Sequence, residues 1–159
     1  MKTKTFALAL AGGTLLAALP AAAIADDDDD RDGDVRRSGN YVVKKGQEID
    51  GNLTVRNGNV VIRGEVDGNI RQIGRGSVVV AASGSVDGNI VERGKGGISV
   101  RGDVDGNVTE LHRGSVKILR SADIDGNVYE RGAGHLVVWR GADIDGNVSE
   151  GGAGRLIRR

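Results

Sequence analysis

Six aspartates in this sequence occupy the same local setting, each between an aliphatic residue and a Gly-Asn pair. They are Asp50, Asp67, Asp87, Asp105, Asp125 and Asp145. Carboxylate oxygens are the ligands that calcium prefers, so this set is a candidate calcium ladder. If the side chains stack about 5 Å apart, adjacent charges repel by on the order of 1 kcal/mol even in water-like surroundings. Calcium, bonds to backbone N–H groups, or neighbouring arginines such as Arg63 and Arg101 would offset that repulsion.

A second calcium pattern lies in the acidic run of residues 26–34. Asp28, Asp30 and Asp32, followed by a glycine, match the start of a calcium-binding loop. The glutamate that closes such a loop would fall at position 39, which is a glycine, and no helical pattern flanks the run. The six repeated aspartates also depart from calcium-binding β-rolls, where a glycine bend directly precedes the ligand. Calcium is therefore the one cofactor that the sequence suggests, and a solvated acidic tail is the favoured interpretation of the run.

No set of residues forms a recognisable catalytic group. His112 and His135 are the two histidines, and they fall at different offsets from the repeated motif, so they would not stack in one column. That argues against a histidine pair for a metal and against the histidine-dependent site of hexapeptide-repeat acyltransferases. The carboxylates belong to the repeat, whereas a catalytic residue should interrupt it. The sequence therefore predicts a protein that is not an enzyme.

The positions of the six motifs reveal an internal repeat. Their spacings are 17, 20, 18, 20 and 20 residues. Periods of this length are too short for helical repeats and are typical of one turn of a β-solenoid. Between the motifs runs a second shared phrase, seen at residues 91–98, 129–136 and 149–156. We therefore predict coils with two strand phrases and one Gly-rich bend each.

Side-chain alternation indicates strands that share one apolar face, because successive residues of a strand point to opposite sides. In residues 60–70 one face is aliphatic or small, and the other is largely charged. The first carries Val60, Ile62, Gly64, Val66, Gly68 and Ile70, and the second carries Val61, Arg63, Glu65, Asp67 and Asn69. An antiparallel meander that turned at Asp-Gly would mix apolar and polar side chains on each face. The predicted fold is all-β, a single-stranded parallel β-helix of about six coils with 17–20 residues per coil.

Stacking of the coils gives the other residues of the motif structural roles. The glycine is predicted to point inward, where the coil is too narrow for a side chain. The asparagines are predicted to hydrogen-bond from coil to coil as an amide ladder. They are Asn52, Asn69, Asn89, Asn107, Asn127 and Asn147.

Three regions follow one another along the chain. Residues 1–25 have a basic start, an apolar segment and a small-residue cleavage site, and we interpret them as an export signal. Residues 26–39 are predicted to be an acidic, disordered tail, and residues 40–159 the solenoid. The expected location is periplasmic, cell-surface or extracellular, with no transmembrane segment after signal cleavage. Removing Lys2 and Lys4 from the 22 basic residues leaves 20 against 22 acidic ones, which argues against nucleic-acid binding.

The phrases at residues 45–55 and 58–70 resemble the bactofilin-type, polymer-forming cytoskeletal repeat of bacteria. The first reads KGQEIDGNLTV, and the second alternates glycines with aliphatic residues as far as Gly68-Asn69-Ile70. The resemblance covers about residues 40–157. It implies short parallel strands in a β-helix and end-to-end assembly without nucleotide, and it supplies no catalytic residues. Bactofilins act in the cytoplasm, so the predicted export signal departs from the family pattern.

These observations lead to two functional hypotheses. The first is an exported, non-enzymatic scaffold that self-associates head to tail, through an acidic beginning and the basic end at residues 155–159. Its partners would be further copies, an envelope component or a glycan. The second is a secreted module that binds calcium or a glycan through the outward Asp and Asn ladders.

Overall fold

The computed structural model describes residues 31–159. The predicted export signal, Asp28 and Asp30 lie outside the described residues. The described chain forms 21 short strands and contains no helix. A helix that is long and apolar enough to cross a membrane is therefore not found among these residues.

The strands form three parallel sheets of seven strands each. Sheet A contains β1 (Arg31–Asp32), β4 (Glu48–Asp50), β7 (Glu65–Val66), β10 (Ser85–Val86), β13 (Asp103–Val104), β16 (Asp123–Ile124) and β19 (Asp143–Ile144). Sheet B contains β2 (Val35–Ser38), β5 (Leu53–Arg56), β8 (Ile70–Gly74), β11 (Ile90–Gly94), β14 (Val108–Glu110), β17 (Val128–Glu130) and β20 (Val148–Glu150). Sheet C contains β3 (Tyr41–Val43), β6 (Val60–Ile62), β9 (Val78–Val80), β12 (Ile98–Val100), β15 (Val116–Ile118), β18 (Leu136–Val138) and β21 (Leu156–Arg158). Six steps separate the first strand of each sheet from the last, which confirms the predicted β-solenoid of about six coils.

Each coil has three strands, whereas the sequence predicted two strand phrases per coil. The motif explains the difference, because its residues belong to two sheets. In the fourth coil Val86 ends a strand of sheet A, and Ile90 begins a strand of sheet B. Asp-Gly-Asn between them forms a corner that keeps the alternation of side chains, so Val86 and Ile90 both point inward and are fully buried. The alternation alone therefore could not reveal the corner.

The described solenoid begins with a seventh, altered copy of the motif. Asp32 and Val35 pair in register with Asp50 and Leu53, and Val35 is buried. Asp34 occupies the position that asparagine holds in the later coils. The solenoid therefore starts before the boundary at 40 that the sequence suggested, because an aspartate in the asparagine position concealed the motif within an acidic run.

The core consists of stacked columns of aliphatic side chains, as the alternation predicted. One column of sheet B is formed by Leu53, Ile70, Ile90, Val108 and Val128, which pair in register and are fully buried. A single coil could not enclose such a column, so the stability of each coil depends on its neighbours.

The glycine of each motif is required by the neighbouring coil. A Cβ atom on Gly68 would lie 2.5 Å from the carbonyl oxygen of Gly51, and one on Gly106 would lie 2.5 Å from that of Gly88. These glycines do not have a positive φ, so backbone flexibility is not the reason for their presence. The close approach of two backbones explains the glycines, and the predicted narrow core does not.

Candidate functional site

The six predicted aspartates lie on the outer side of sheet A, where all of them are exposed. A second acidic column runs beside them on the same sheet, and Ser85 interrupts it. Its members are Glu48, Glu65, Asp103, Asp123 and Asp143. We call these eleven carboxylates the acidic face.

Protons offset part of the repulsion on the acidic face. A hydrogen bond to Asp50, together with the charges of Asp50 and Asp67, raises the pKa of Glu48 to about 7. Partial desolvation, followed by the charges of adjacent aspartates, raises the pKa of Asp87 and of Asp123. Within residues 31–159, the six repeated aspartates form no ion pair and accept no backbone N–H bond. Two of the three mechanisms that the sequence suggested are therefore not used here.

Two groups on the acidic face have the spacing that a cation needs. Glu48, Asp50 and Asp67 form the first group, and Glu65, Asp67 and Asp87 the second, with ligand atoms within 4.8 Å of one another in each. Asp67 belongs to both groups. In the part of the chain that the structure describes, Asp105, Asp125 and Asp145 join no such group. Calcium at the ladder stays a prediction, and its best geometry lies at the N-terminal end.

The asparagines form the predicted amide ladder along the corner between sheets A and B. The Oδ1 atom of Asn89 accepts hydrogen bonds from the backbone N and the Nδ2 of Asn107, both at 2.9 Å. The Oδ1 of Asn107 accepts the same pair from Asn127, at 2.9 and 2.8 Å. At the first coil Asp34 replaces the amide and accepts both bonds from Asn52. These two bonds lower the pKa of Asp34.

Replacing Asn107 by alanine is expected to destabilise the protein by about 1–3 kcal/mol, because the backbone N–H of the half-buried Asn127 loses its acceptor. Asn147→Ala is the matched control. Among the described residues, no side chain or backbone N–H donates a hydrogen bond to the side-chain oxygen, Oδ1, of Asn147. We therefore expect this variant to lose less than about 1 kcal/mol. Urea unfolding monitored by circular dichroism measures both losses. Equal losses in the two variants would contradict a structural role for the ladder.

A column of buried acids runs inside sheet B, and the sequence interpretation did not find it. Gln72, Glu92, Glu110 and Glu130 are fully buried and pair in register, and the column continues to the partly buried Glu150. Each residue lies five positions after the aspartate of its motif, on the same side as the aliphatic residue two positions earlier. The alternation rule would therefore have placed these polar residues inside.

The glutamates organise the Gly-rich bends that join sheets B and C. Oε1 of Glu110 accepts hydrogen bonds from the backbone N–H groups of His112 and Gly114, both at 2.9 Å. Oε1 of Glu130 accepts the equivalent bonds from Gly132 at 2.9 Å and Gly134 at 3.2 Å. When the carboxyl is ionised, such bonds are stronger than bonds between neutral groups. The repeated Glu-x-x-x-Gly spacing is therefore a structural signature of the bend.

Burial favours the protonated form of two glutamates of this column, Glu92 and Glu130. Burial, together with the adjacent Glu110 carboxyl, raises the pKa of Glu92 to about 8 and that of Glu130 to about 7. Carboxyls stacked one coil apart, about 4.8 Å, cannot all be ionised in an apolar interior at low cost. A proton on one carboxyl of a neighbouring pair relieves this repulsion, and Oε1 of Glu130 can still accept from the bend.

Stability is expected to fall as the pH rises from about 4.5 to about 8. Below 4.5, the ordinary pKa of glutamate, both the folded and the unfolded chain are protonated; above it, the folded chain retains the protons of Glu92 and Glu130 that the unfolded chain has released. Each extra proton costs about 1.4 kcal/mol of stability per pH unit. Melting temperatures at pH 5, 6.5 and 8 test this, with Glu92→Gln as a variant of shallower slope. A melting temperature that rises from pH 5 to pH 8 would show that the column does not titrate in this way.

The two histidines do not form a site within the described residues. His112 and His135 lie in different columns, as predicted, and His135 Nδ1 accepts a hydrogen bond from the backbone N–H of Arg155. Trp139 lies under the Arg159 guanidinium, and the ring of Tyr129 lies 4.5 Å from the guanidinium carbon of Arg131.

An open groove of about 700 Å³ follows the asparagine ladder across the outer side of sheet B. Besides the asparagines it is lined by Thr54, Arg71, Arg93, Tyr129 and Arg131. Asp34 also lines the groove and is the one carboxylate among its described lining residues. The surface is a shallow, basic strip and not an enclosed pocket.

The family model for Bactofilin, described as polymer-forming cytoskeletal, matches residues 32–149. The chain belongs to the bactofilin family. This confirms the resemblance seen in the sequence, and the match begins at the altered first motif. The family is a structural one, which agrees with the expectation of a protein that is not an enzyme.

A second similarity covers a smaller part of this bactofilin. A stretch of 57 residues is 44% identical to the anti-sigma-W factor RsiW of Halalkalibacterium halodurans. The match covers 36% of this chain and 26% of that protein, so the chain spans about a quarter of the relative's length. No solved structure shows a significant match to this chain.

Proposed function

We propose that this bactofilin is an exported, non-enzymatic scaffold that polymerises end to end through the two ends of its solenoid. Membership of a polymer-forming family supports self-association. The predicted signal at residues 1–25 supports export to the periplasm, the cell surface or the medium. An envelope component or a glycan would then be the structure to which the polymer attaches.

The observation that supports polymerisation best is the exposure of apolar side chains on the last described coil. Val128 N donates to the carbonyl of Asn147 on the following coil. Val148 is the equivalent donor of the last coil, and no described coil follows it. Its side chain is half-buried, and Leu156 on the same coil is 41% exposed, whereas the equivalent Leu136 is fully buried. An end with apolar side chains and unpaired backbone groups favours the addition of another β-solenoid.

Head-to-tail contacts are the arrangement that the hydrogen bonds and charges favour. The N–H of Val35 on the first coil donates to the carbonyl of Asn52 on the second coil. At the same position of each later coil except the last, the N–H likewise donates to the carbonyl of the coil that follows. A following copy would therefore present the carbonyl of its Asp34 to the N–H of Val148. The basic end at residues 155–159 would meet the acidic beginning of the next copy.

Sedimentation and electron microscopy of the protein without its predicted signal peptide test the proposal. We expect filaments from the wild type, and single solenoids from Val148→Asp and Leu156→Asp, because each introduces a buried charge at the junction. Ser149→Asp is the matched control, since Ser149 is exposed on the outer side of the same strand. A wild type that remains a monodisperse monomer at both low and high salt would contradict the proposal.

Calcium binding on the acidic face is a second function, favoured by the two carboxylate groups that share Asp67. Titration calorimetry should show calcium binding that Asp67→Asn abolishes and Asp125→Asn leaves in place, because Asp125 joins neither group. Absence of heat and of any change in melting temperature would refute it.

A glycan is the other ligand of this hypothesis, since the ladder bonds leave one Nδ2 hydrogen of each asparagine for a hydroxyl.

A further inference from the structure

The charges of the solenoid are separated onto different sides, although the whole chain has a formal net charge of zero. Sheet A carries eleven carboxylates on its outer side, and no lysine or arginine lies on its strands from β4 onward. Sheet B carries the opposite sign. Its outward arginines are Arg36, Arg56, Arg71, Arg93 and Arg131. We call these residues the basic face.

The basic face has almost no acid of its own. The glutamates of sheet B point inward and are buried or partly buried. Asp34 is the one described carboxylate beside the face, and it is engaged by Asn52 and by Arg36, whose Nη2 lies 3.1 Å from Asp34 Oδ2. Apart from Arg36, the arginines of the face form no ion pair within residues 31–159. Their charges are therefore available to a partner.

We infer that the basic face of sheet B is a docking surface for the acidic face of a second copy, so that solenoids associate side by side. The contact differs from the end-to-end contact of the proposed function, because it uses the flank of the solenoid and leaves both ends free. Opposite potentials on two surfaces direct association and fix which surfaces meet.

The repeat makes the two faces complementary in spacing as well as in sign. Both faces present one row of side chains per coil, and the coils of both copies rise by about 4.8 Å. When two solenoids lie with their axes parallel, arginines such as Arg71 and Arg93 can face the aspartates of successive coils. The arginines occupy two columns, with Arg36 and Arg71 in one and Arg56 and Arg93 in the other, so the contact matches in those coils that carry an arginine. A globular partner without this period would match only at single points.

The small area of the contact indicates that it joins filaments, because the contact between two single solenoids is weak. A face six coil steps long and one short strand wide measures roughly 29 by 13 Å, or about 400 Å² per partner. Stable interfaces bury about 800 Å² per partner, so one solenoid pair is weak. Along a filament the contacts add up, because each bound subunit holds its neighbours in place. The inference thus rests on the proposed function for its strength, and its product is a bundle of filaments.

Charge reversal on each face is the test. Arg71→Glu/Arg93→Glu makes both faces acidic, and Asp105→Lys/Asp125→Lys makes the acidic face partly basic. We expect the wild type to form bundles that pellet at low speed in low salt and disperse to single filaments above about 0.5 M salt. Each variant alone should form filaments that pellet only at high speed, with at least a fivefold loss of low-speed pellet. Lys117→Glu, an exposed charge reversal on sheet C, is the control and should bundle like the wild type.

Mixing the two reversed variants completes the experiment. Filaments of one variant should bundle with those of the other, because opposite faces are again available. If no filaments form, the proposed end-to-end assembly fails. The side-by-side contact is then tested on single solenoids, and sedimentation equilibrium of the mixed variants must show an association that neither variant shows alone. Three results would overturn the inference. They are bundles that form in spite of both charge reversals, mixed variants that do not bundle, and bundles that dissolve when EDTA is added. The EDTA result would assign the contact to two acidic faces bridged by a cation.

Discussion

Replacing Glu110 by alanine is expected to cost about 3–5 kcal/mol of folding free energy. The substitution removes the acceptor of two backbone N–H groups, those of His112 and of the buried Gly114. Each unsatisfied buried donor costs about 1–3 kcal/mol. It also leaves a cavity between the carboxyls of Glu92 and Glu130. The total equals a large part of the stability of an ordinary domain.

Glu110→Gln is the matched control for this prediction. Glutamine keeps an Oε1 acceptor for the bend and offers its amide to a neighbouring carboxyl, and Gln72 already occupies the same column while fully buried. We expect its stability to lie within about 1 kcal/mol of the wild type at pH 7. It should depend less on pH, because the carboxyl that helps to raise the pKa of Glu92 and Glu130 is removed. Urea unfolding of the three proteins measures both effects. A glutamine variant as unstable as the alanine variant would show that the carboxylate charge, and not its hydrogen bonds, holds the bend.

Replacing Gly106 by alanine is expected to cost about 3 kcal/mol. The added Cβ would lie 2.5 Å from both the carbonyl carbon and the carbonyl oxygen of Gly88. These atoms belong to the backbone of the adjacent coil, so a side-chain rotation cannot relieve the overlap. The coils would have to separate locally, which would also weaken the asparagine ladder that crosses the same corner.

Gly151→Ala provides the comparison. The nearest atom to its added Cβ would be the Glu130 carbonyl oxygen at 3.9 Å, an ordinary contact. We expect a change within about 0.5 kcal/mol, measured by the same unfolding experiment. Similar losses at the two glycines would show that flexibility of the bends, and not coil spacing, explains the glycine content.

The repeat made much of the fold predictable from the sequence. The alternation around Val60 and Ile62 identified the inward side chains, and the spacing identified the coils, because a solenoid repeats the same local chemistry in every turn. The roles of the asparagines followed from stacking alone. The third strand of each coil could not be inferred, because the corner at Asp-Gly leaves the alternation unchanged.

The less predictable features depend on which polar residues lie inside. Glu110 and Glu130 have the sequence character of surface residues, and their hydrogen bonds to the bends make their burial tolerable. Asp34 was misassigned for a related reason, since a carboxylate can accept the two ladder bonds that an amide oxygen accepts. The separation of charge between sheets A and B became visible only when the corner was located.

We propose that solenoids of this bactofilin join end to end into a continuous filament. Cryo-electron microscopy of the protein without its predicted signal peptide tests it most directly. We expect filaments in which coils about 4.8 Å apart continue across each junction, with one subunit per roughly 34 Å. Head-to-tail contacts would give every subunit the same direction along the filament. Discrete particles one solenoid long, or filaments whose subunits touch through the sides of sheets A and B while their ends stay free, would contradict the claim.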